Sequence, residues 1–203
     1  AVQGIKRAGT ETSYTITFKD CGGTGDSSTK QSTIDNIISA GDEYVSEIVT
    51  AENIYQARTG RGIKLGTGSK TGTLVLKLAE TVKPTKITYK ARQYSASETS
   101  ITVNGNSQIE LTAGFDEYTI TYDGETEVSQ ISISTPEKRA YITEVKVYYT
   151  AAAVEKPTIT GTTPFLGSTN VTIVCSTEGA AIHYTTDGSE PTAESTTYRQ
   201  QLP

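Results

Sequence analysis

Polar and apolar residues alternate one by one through much of this chain, and that alternation is what most limits its fold. Tyr14-Thr15-Ile16-Thr17-Phe18, Leu74-Val75-Leu76-Lys77-Leu78, Lys86-Ile87-Thr88-Tyr89-Lys90 and Ser100-Ile101-Thr102-Val103 keep a period of two, as do residues 118–122, 130–133 and 143–147. A strand sends successive side chains to opposite faces, so each run buries one face and wets the other. Thr, Val, Ile and Tyr fill these runs, as a pleated, half-buried surface favours. Leu74, Leu76, Leu78, Ile87, Tyr89, Ile101, Val103, Ile131 and Ile133 are the expected core. Asn104-Gly105 and Asp123-Gly124 read as two-residue hairpin turns, because both positions tolerate positive φ. Short strands with such punctuation predict an all-β fold, an antiparallel jelly-roll-like β-sandwich. One stretch departs from the pattern. Ile34, Ile37 and Ile38 fall at helical spacing within residues 32–40, with Ser32 or Thr33 as cap and Gly41 as stop, which predicts a short helix across the sandwich edge.

The alternation ends at Tyr148-Tyr149. Residues 151–156 carry no turn chemistry and read as a linker, and Pro157 opens a new segment, giving two domains over 1–150 and 157–203. Net charge is -5 and no Lys/Arg cluster tracks a phosphate backbone, so nucleic acid is not an expected partner. No apolar run approaches the roughly 18 residues of a membrane span. Cys21 and Cys175 fall in different domains and read as free thiols. The sequence contains no Met; a cleaved signal peptide fits this, as does a sequence trimmed for expression, and the expectation is a secreted or cell-surface protein.

Two resemblances add to this reading. Pro157-Thr158-Ile159, Thr163-Pro164, Val171-Thr172-Ile173 and the run Gly179-Ala180-Ala181-Ile182-His183-Tyr184-Thr185-Thr186-Asp187-Gly188-Ser189-Glu190-Pro191-Thr192, followed by Ser195 and Tyr198, resemble the chitobiase/β-hexosaminidase C-terminal domain family. The resemblance implies a small immunoglobulin-like β unit, an accessory module without chemistry of its own. It also implies another strand or two after Tyr198, so the unit reads as incomplete and as needing another domain or chain to cover its edge. Gly62-Ile63-Lys64-Leu65-Gly66, residues 69–74, residues 100–105 and Arg139-Ala140-Tyr141-Ile142 resemble a galactose-binding-like β-sandwich module of secreted gut-bacterial proteins.

Candidate chemistry is sparse. Gly66-Thr67-Gly68-Ser69-Lys70-Thr71 looks like the end of a phosphate-binding loop, but Ser69 stands where that loop needs Gly and a strand follows where it needs a helix. It reads as a plain hairpin turn. His183 is the lone histidine, beside no nucleophile signature, and no catalytic residue is assigned. Asp116, Glu117, Glu125 and Glu127 read as solvated turn carboxylates rather than a glycosidase pair. No cofactor is assigned; the one ion the residues allow for is a structural calcium, for which Asp20, Asp26, Glu144 and backbone carbonyls could provide oxygen ligands. Glycan binding needs an aromatic face and planar hydrogen-bonding groups. Arg92 with Tyr94, and Arg139 with Tyr141, supply both, while Arg58 and Arg61 flank a Gly-rich turn. Against this stands a structural role for each pair, with Arg139 tying down a sandwich edge. The expectation is a non-catalytic, carbohydrate-binding or glycan-associated accessory protein, with a spacer or adhesin module as alternative. Limited proteolysis is expected to cut first within residues 151–156 and leave a resistant fragment ending near 150; first cuts inside residues 70–150 would contradict the boundary.

Overall fold

Alternation in the sequence becomes two facing antiparallel sheets in the computed structural model, which describes residues 10–108, 110–136, 138–151, 155–164, 166–177, 181–192 and 194–198. The first compact unit, Glu11–Ala151, contains β1 (Glu11–Phe18), the one-turn helix α1 (Ile34–Ile37), β2 (Ile38–Ala40), a 3-10 turn (Asp42–Tyr44), β3 (Val45–Glu52), β4 (Ile54–Gln56) and β5 (Ile63–Leu65). It continues with β6 (Thr73–Val82), β7 (Pro84–Gln93), β8 (Ile101–Val103), β9 (Asn106–Gln108), β10 (Asp116–Thr121), β11 (Val128–Ser134) and β12 (Ala140–Thr150). One sheet runs β10-β7-β12-β1-β2, and β5, carrying β4 on its outer side, also pairs with β12. The other runs β3-β6-β11-β8-β9.

The inner faces of the two sheets make one apolar core. Ile16, Ile87, Tyr89, Val145 and Val147 come from the first sheet, and Leu74, Leu76, Leu78, Ile101, Val103, Ile131 and Ile133 from the second. All nine core residues read from the alternation are buried. Leu76 is central: it sits in register with Ile48 on one side and Ile131 on the other. The Asn104-Gly105 turn joins β8 to β9 with φ of 45° and 77°, the left-handed pair a type I′ hairpin requires.

Three expectations need correction. The helix stops after four residues, and Ile38–Ala40 pairs instead with Phe18 and Thr17 of β1. Four residues close too few hydrogen bonds to stand alone, whereas the open edge of β1 offers partners at once. Gly41 begins the 3-10 turn rather than closing a helix. Asp123-Gly124 is not a hairpin, because β10 and β11 lie in different sheets. Asp123 Oδ1 accepts the N–H groups of Glu125 and Thr126, making a crossover turn. Residues 66–71 likewise join β5 to β6 across sheets, with Thr67 Oγ1 accepting the N–H groups of Ser69 and Lys70.

The second unit, from residue 152 on, holds β13 (Thr158–Gly161) paired with β14 (Val171–Val174), and β15 (His183–Tyr184) paired with β16 (Thr196–Thr197). Tyr198 links the two ladders: its N–H donates to the Ile182 carbonyl at 2.7 Å, and its hydroxyl accepts from the Ile173 N–H at 3.4 Å. Asp187-Gly188 makes the expected turn, with Asp187 Oδ1 accepting the Ser189 N–H. Gly179 and Ala180 of the hallmark run lie outside the described residues, as do residues 152–154 of the linker. None of the described residues of this unit is buried, and Ile159, Leu166, Val171 and Val174 are exposed. Replacing Leu76 by Ala is expected to destabilise the first unit by about 2–5 kcal/mol, as emptying a packed core position does. Denaturant unfolding measures it, and wild-type stability would contradict the packing of the two inner faces.

Candidate functional site

β12 is longer than β1, and the Ala140–Ile142 end that β1 leaves uncovered pairs with β5. This builds a row across four strands, Tyr55 (β4), Lys64 (β5), Tyr141 (β12) and Arg92 (β7), each in register with the next. Residues in register share a face. Tyr55 and Tyr141 are buried yet do not belong to the core cluster, whereas their neighbours Ala140 and Ile142 do. The row therefore lies on the outer face, and loops bury it. One of these is the turn from Ala57 to Gly62, closed by the Ala57 N–H on the Gly62 carbonyl at 2.9 Å. Asp20 Oδ2 holds it by accepting the Gly60 N–H at 2.7 Å. Gly62 has φ +60°, and a Cβ there would stand 2.3 Å from the Ile142 carbonyl oxygen, so only glycine lets this turn lie against β12.

The turn brings Arg61 over the Tyr141 ring, 5.1 Å from its centroid. The Tyr141 hydroxyl donates to Asp26 Oδ2 at 2.8 Å, and Asp26 Oδ1 accepts the Arg58 N–H at 3.1 Å. Lys64 Nζ stands 3.5 Å from Asp26. Burial pushes the Tyr141 phenol up to about 12, with its bond to Asp26 as the next cause. Burial works to raise Asp26, but the Arg58 N–H, the Tyr141 hydroxyl and Lys64 hold its carboxyl below the usual range. Next along the strands, the Arg139 guanidinium lies 3.7 Å from the Tyr94 centroid, and Tyr94 stacks on Tyr141 at 5.4 Å. Arg139 also makes a two-pronged bond to Glu98, Nε to Oε1 at 2.8 Å and Nη2 to Oε2 at 2.7 Å.

The four residues chosen from the sequence thus come together, but they do not play equal parts. Tyr141 is only 1% exposed and its ring is covered, so it supports the site and offers no sugar a stacking face. Arg139 is committed to Glu98 and ties the β12 start to the 95–98 turn. Arg92 and Tyr94 remain half-buried at the rim, with Phe115 5.6 Å from the Arg92 guanidinium.

A second feature had no signal in the sequence. Tyr14 stacks on Tyr44 with centroids 4.3 Å apart and planes 15° apart, and Tyr149 tilts onto Tyr14 at 6.0 Å. With Glu43, Ala79, Glu80 and Val82 these rings line a cleft of about 220 Å³. Burial raises the Tyr14 phenol above its ordinary value, with Tyr149, Tyr44 and Glu80 adding to the effect. The contributing segments are distant in sequence, and Tyr14 reads there only as one position of an alternating run.

The remaining candidates are structural. Asp20 accepts the Gly22 and Gly60 N–H groups, Asp26 is occupied as above, and Glu144 pairs with Lys90 at 3.0 Å. These three carboxylates do not fit one shared calcium site, and the described residues gather no group of three or more metal-binding side chains. Cys21 and Cys175 are both free. His183 Nδ1 lies 2.8 Å from the Ser195 carbonyl oxygen, a contact that holds β15 and the 192–195 turn together. No described helix is long and apolar enough to cross a membrane.

Residues 160–203 match the chitobiase/beta-hexosaminidase C-terminal domain. That domain is a non-catalytic accessory module. No curated protein and no solved structure matches the chain.

Exchanging Glu98 for Gln is expected to cost about 1–3 kcal/mol at pH 7, because Arg139 loses its charged partner. The bond to Arg139 is the main reason the Glu98 carboxyl lies below its usual range. A depressed carboxyl contributes stability above its unfolded value of about 4.3 and loses it as pH falls through the folded value. Urea unfolding should therefore show a gap between native and variant at pH 7 that closes in acid. A gap that is absent at pH 7, or that persists in acid, would contradict this.

Proposed function

We propose that the chain is a non-catalytic accessory protein, secreted or displayed at a cell surface, that holds a neutral sugar residue of a glycan in the tyrosine cleft. The observation that carries this reading is the convergence of Tyr14, Tyr44 and Tyr149 with Glu43 and Glu80 on one small opening. An aromatic face takes the apolar C–H side of a pyranose ring, and carboxylates accept bonds from its hydroxyls. Tyr44 stacks on Tyr14 yet is 37% exposed, so part of its side chain stays open to a ligand. The cleft is smaller than the ~300–1,000 Å³ of pockets for drug-sized molecules, so it suits one ring and not a chain. Two carboxylates in the lining disfavour an acidic sugar at this place. The accessory domain matched at residues 160–203 supports the glycan-associated setting.

A neutral-glycan array followed by calorimetry tests the reading. Tyr44→Ala is expected to weaken binding of the best neutral hit about tenfold, equivalent to 1.4 kcal/mol. Glycan turnover would overturn the non-catalytic part and direct attention to Glu43 and Glu80. Absence of any neutral hit, or full affinity in Tyr44→Ala, would remove the cleft.

A further inference from the structure

Three arginines surround the buried Tyr141 without an acidic partner of their own. Arg61 lies over its ring, Arg92 is its register neighbour, and Arg58 belongs to the same turn as Arg61, with the Arg61 N–H bonded to the Arg58 carbonyl at 3.1 Å. None of the three takes part in an ion pair among the described residues, whereas Arg139 and Lys64 nearby do. The Arg58 Nε is buried and has no hydrogen-bond partner. Arg92 has only a long 3.4 Å contact from Nε to the Gln93 carbonyl. Burial lowers the Arg92 guanidinium, and Arg61 and then Arg58 lower it further, so the three charges are close enough to repel one another. The two carboxylates bonded to this turn are already engaged, Asp26 by Lys64, the Tyr141 hydroxyl and the Arg58 N–H, and Asp20 by the Gly22 and Gly60 N–H groups.

An unpaired, partly desolvated cation cluster is costly unless something neutralises it. Guanidinium forks match the planar, two-oxygen edge of a carboxylate and the oxygens of a sulfate. The chain as a whole is acidic at -5, so a general field for polyanions does not explain a local cationic site. Phe115 stands at the rim beside Arg92 and places apolar ring surface next to the charge, while the Tyr94 ring is engaged by Arg139 and Tyr141. The turn carrying Arg58 and Arg61 is fixed in advance by Gly62 and Asp20, so little order has to be gained on binding.

We propose that Arg58, Arg61 and Arg92 form a second binding site, distinct from the tyrosine cleft, for an acidic saccharide that presents a uronate carboxylate or a sulfate ester. The saccharide part rests on the glycan reading above; the anion part does not. The neutral ring thus goes to the side of the sandwich with the carboxylates, and the acidic group to the side with the guanidiniums.

Calorimetry at low salt on the full chain tests this, with a uronic acid tetrasaccharide, a sulfated disaccharide, a neutral tetrasaccharide and inorganic sulfate as separate probes. At least one acidic saccharide should bind, and its affinity should fall with added salt. The affinity should drop about tenfold in Arg61→Gln and in Arg92→Gln and stay unchanged in Lys77→Gln, which removes an exposed cation from the other sheet. Thermal unfolding of each variant, together with Arg92→Lys, separates lost binding from lost fold. No acidic saccharide bound at low salt, equal affinity in both arginine variants that fold, or binding of inorganic sulfate alone would overturn the proposal. A neutral saccharide that still binds through Tyr44 would then leave the first reading standing, while failure of every saccharide with retained sulfate binding would sink both glycan assignments.

Discussion

The pairing of β12 with its neighbours holds the molecule's first unit together. Nine of its 11 residues pair with β7 along one edge, and β1 and β5 share the other. Both candidate sites hang on this strand. Tyr141 near its start lies beneath the arginines, and Tyr149 near its end enters the tyrosine cleft. Eight residues of strand set them about 26 Å apart along the backbone. A register shift between Ile142 and Glu144 lets one strand serve both roles. Before it the even positions Ala140 and Ile142 join the core; after it the odd positions Val145 and Val147 do. Without the shift, either Tyr141 or the Val145-Val147 pair would face the wrong way.

That same shift explains how far the sequence could be read. Strict alternation made the core of β6, β7, β8 and β11 legible to the residue, because a buried face selects Leu, Ile and Val at every second position. It also made the Asn104-Gly105 hairpin legible. Asp123-Gly124 has the same local chemistry, but a turn that changes sheets and one that closes a hairpin use the same residues, and only pairing tells them apart. Ile38 shows the limit for helices: β-branched residues at helical spacing went to a strand because an open edge lay beside them. Arg92, Tyr94, Arg139 and Tyr141 could be found as exposed-looking polar and aromatic residues on strands. That Tyr141 would be roofed over by the loop carrying Arg61, and Arg139 taken by Glu98, depended on contacts remote in sequence. Tyr14, Tyr44 and Tyr149 had no local sign at all, since stacking between distant segments leaves none.

Charge is divided with more order than the net value suggests. Carboxylates at Glu43 and Glu80 face one opening, while guanidiniums at Arg58, Arg61 and Arg92 gather elsewhere on the same unit. Among the ion pairs, Arg139 with Glu98 and Lys64 with Asp26 are the least exposed and brace strand ends and loops, while Lys83 with Glu125, Lys86 with Glu11 and Lys90 with Glu144 lie nearer the surface. The two least exposed pairs thus brace the scaffold, while Arg58, Arg61 and Arg92 take part in no ion pair among the described residues.

Between β6 and β7, ten residues each, the chain passes from one sheet to the other through Lys83 alone. So short a connection makes this corner the least demanding long-strand junction to form, since closing it removes little chain entropy. Leu76 and Ile87, eleven residues apart in sequence, thereby lie in opposite layers of the core. β10 and β12 pair with β7 on the far side of this hinge, and β11 pairs with β6 on the near side. A residue inserted beside Lys83 would therefore act on both sheets at once, because it would loosen the one local link between their longest neighbours.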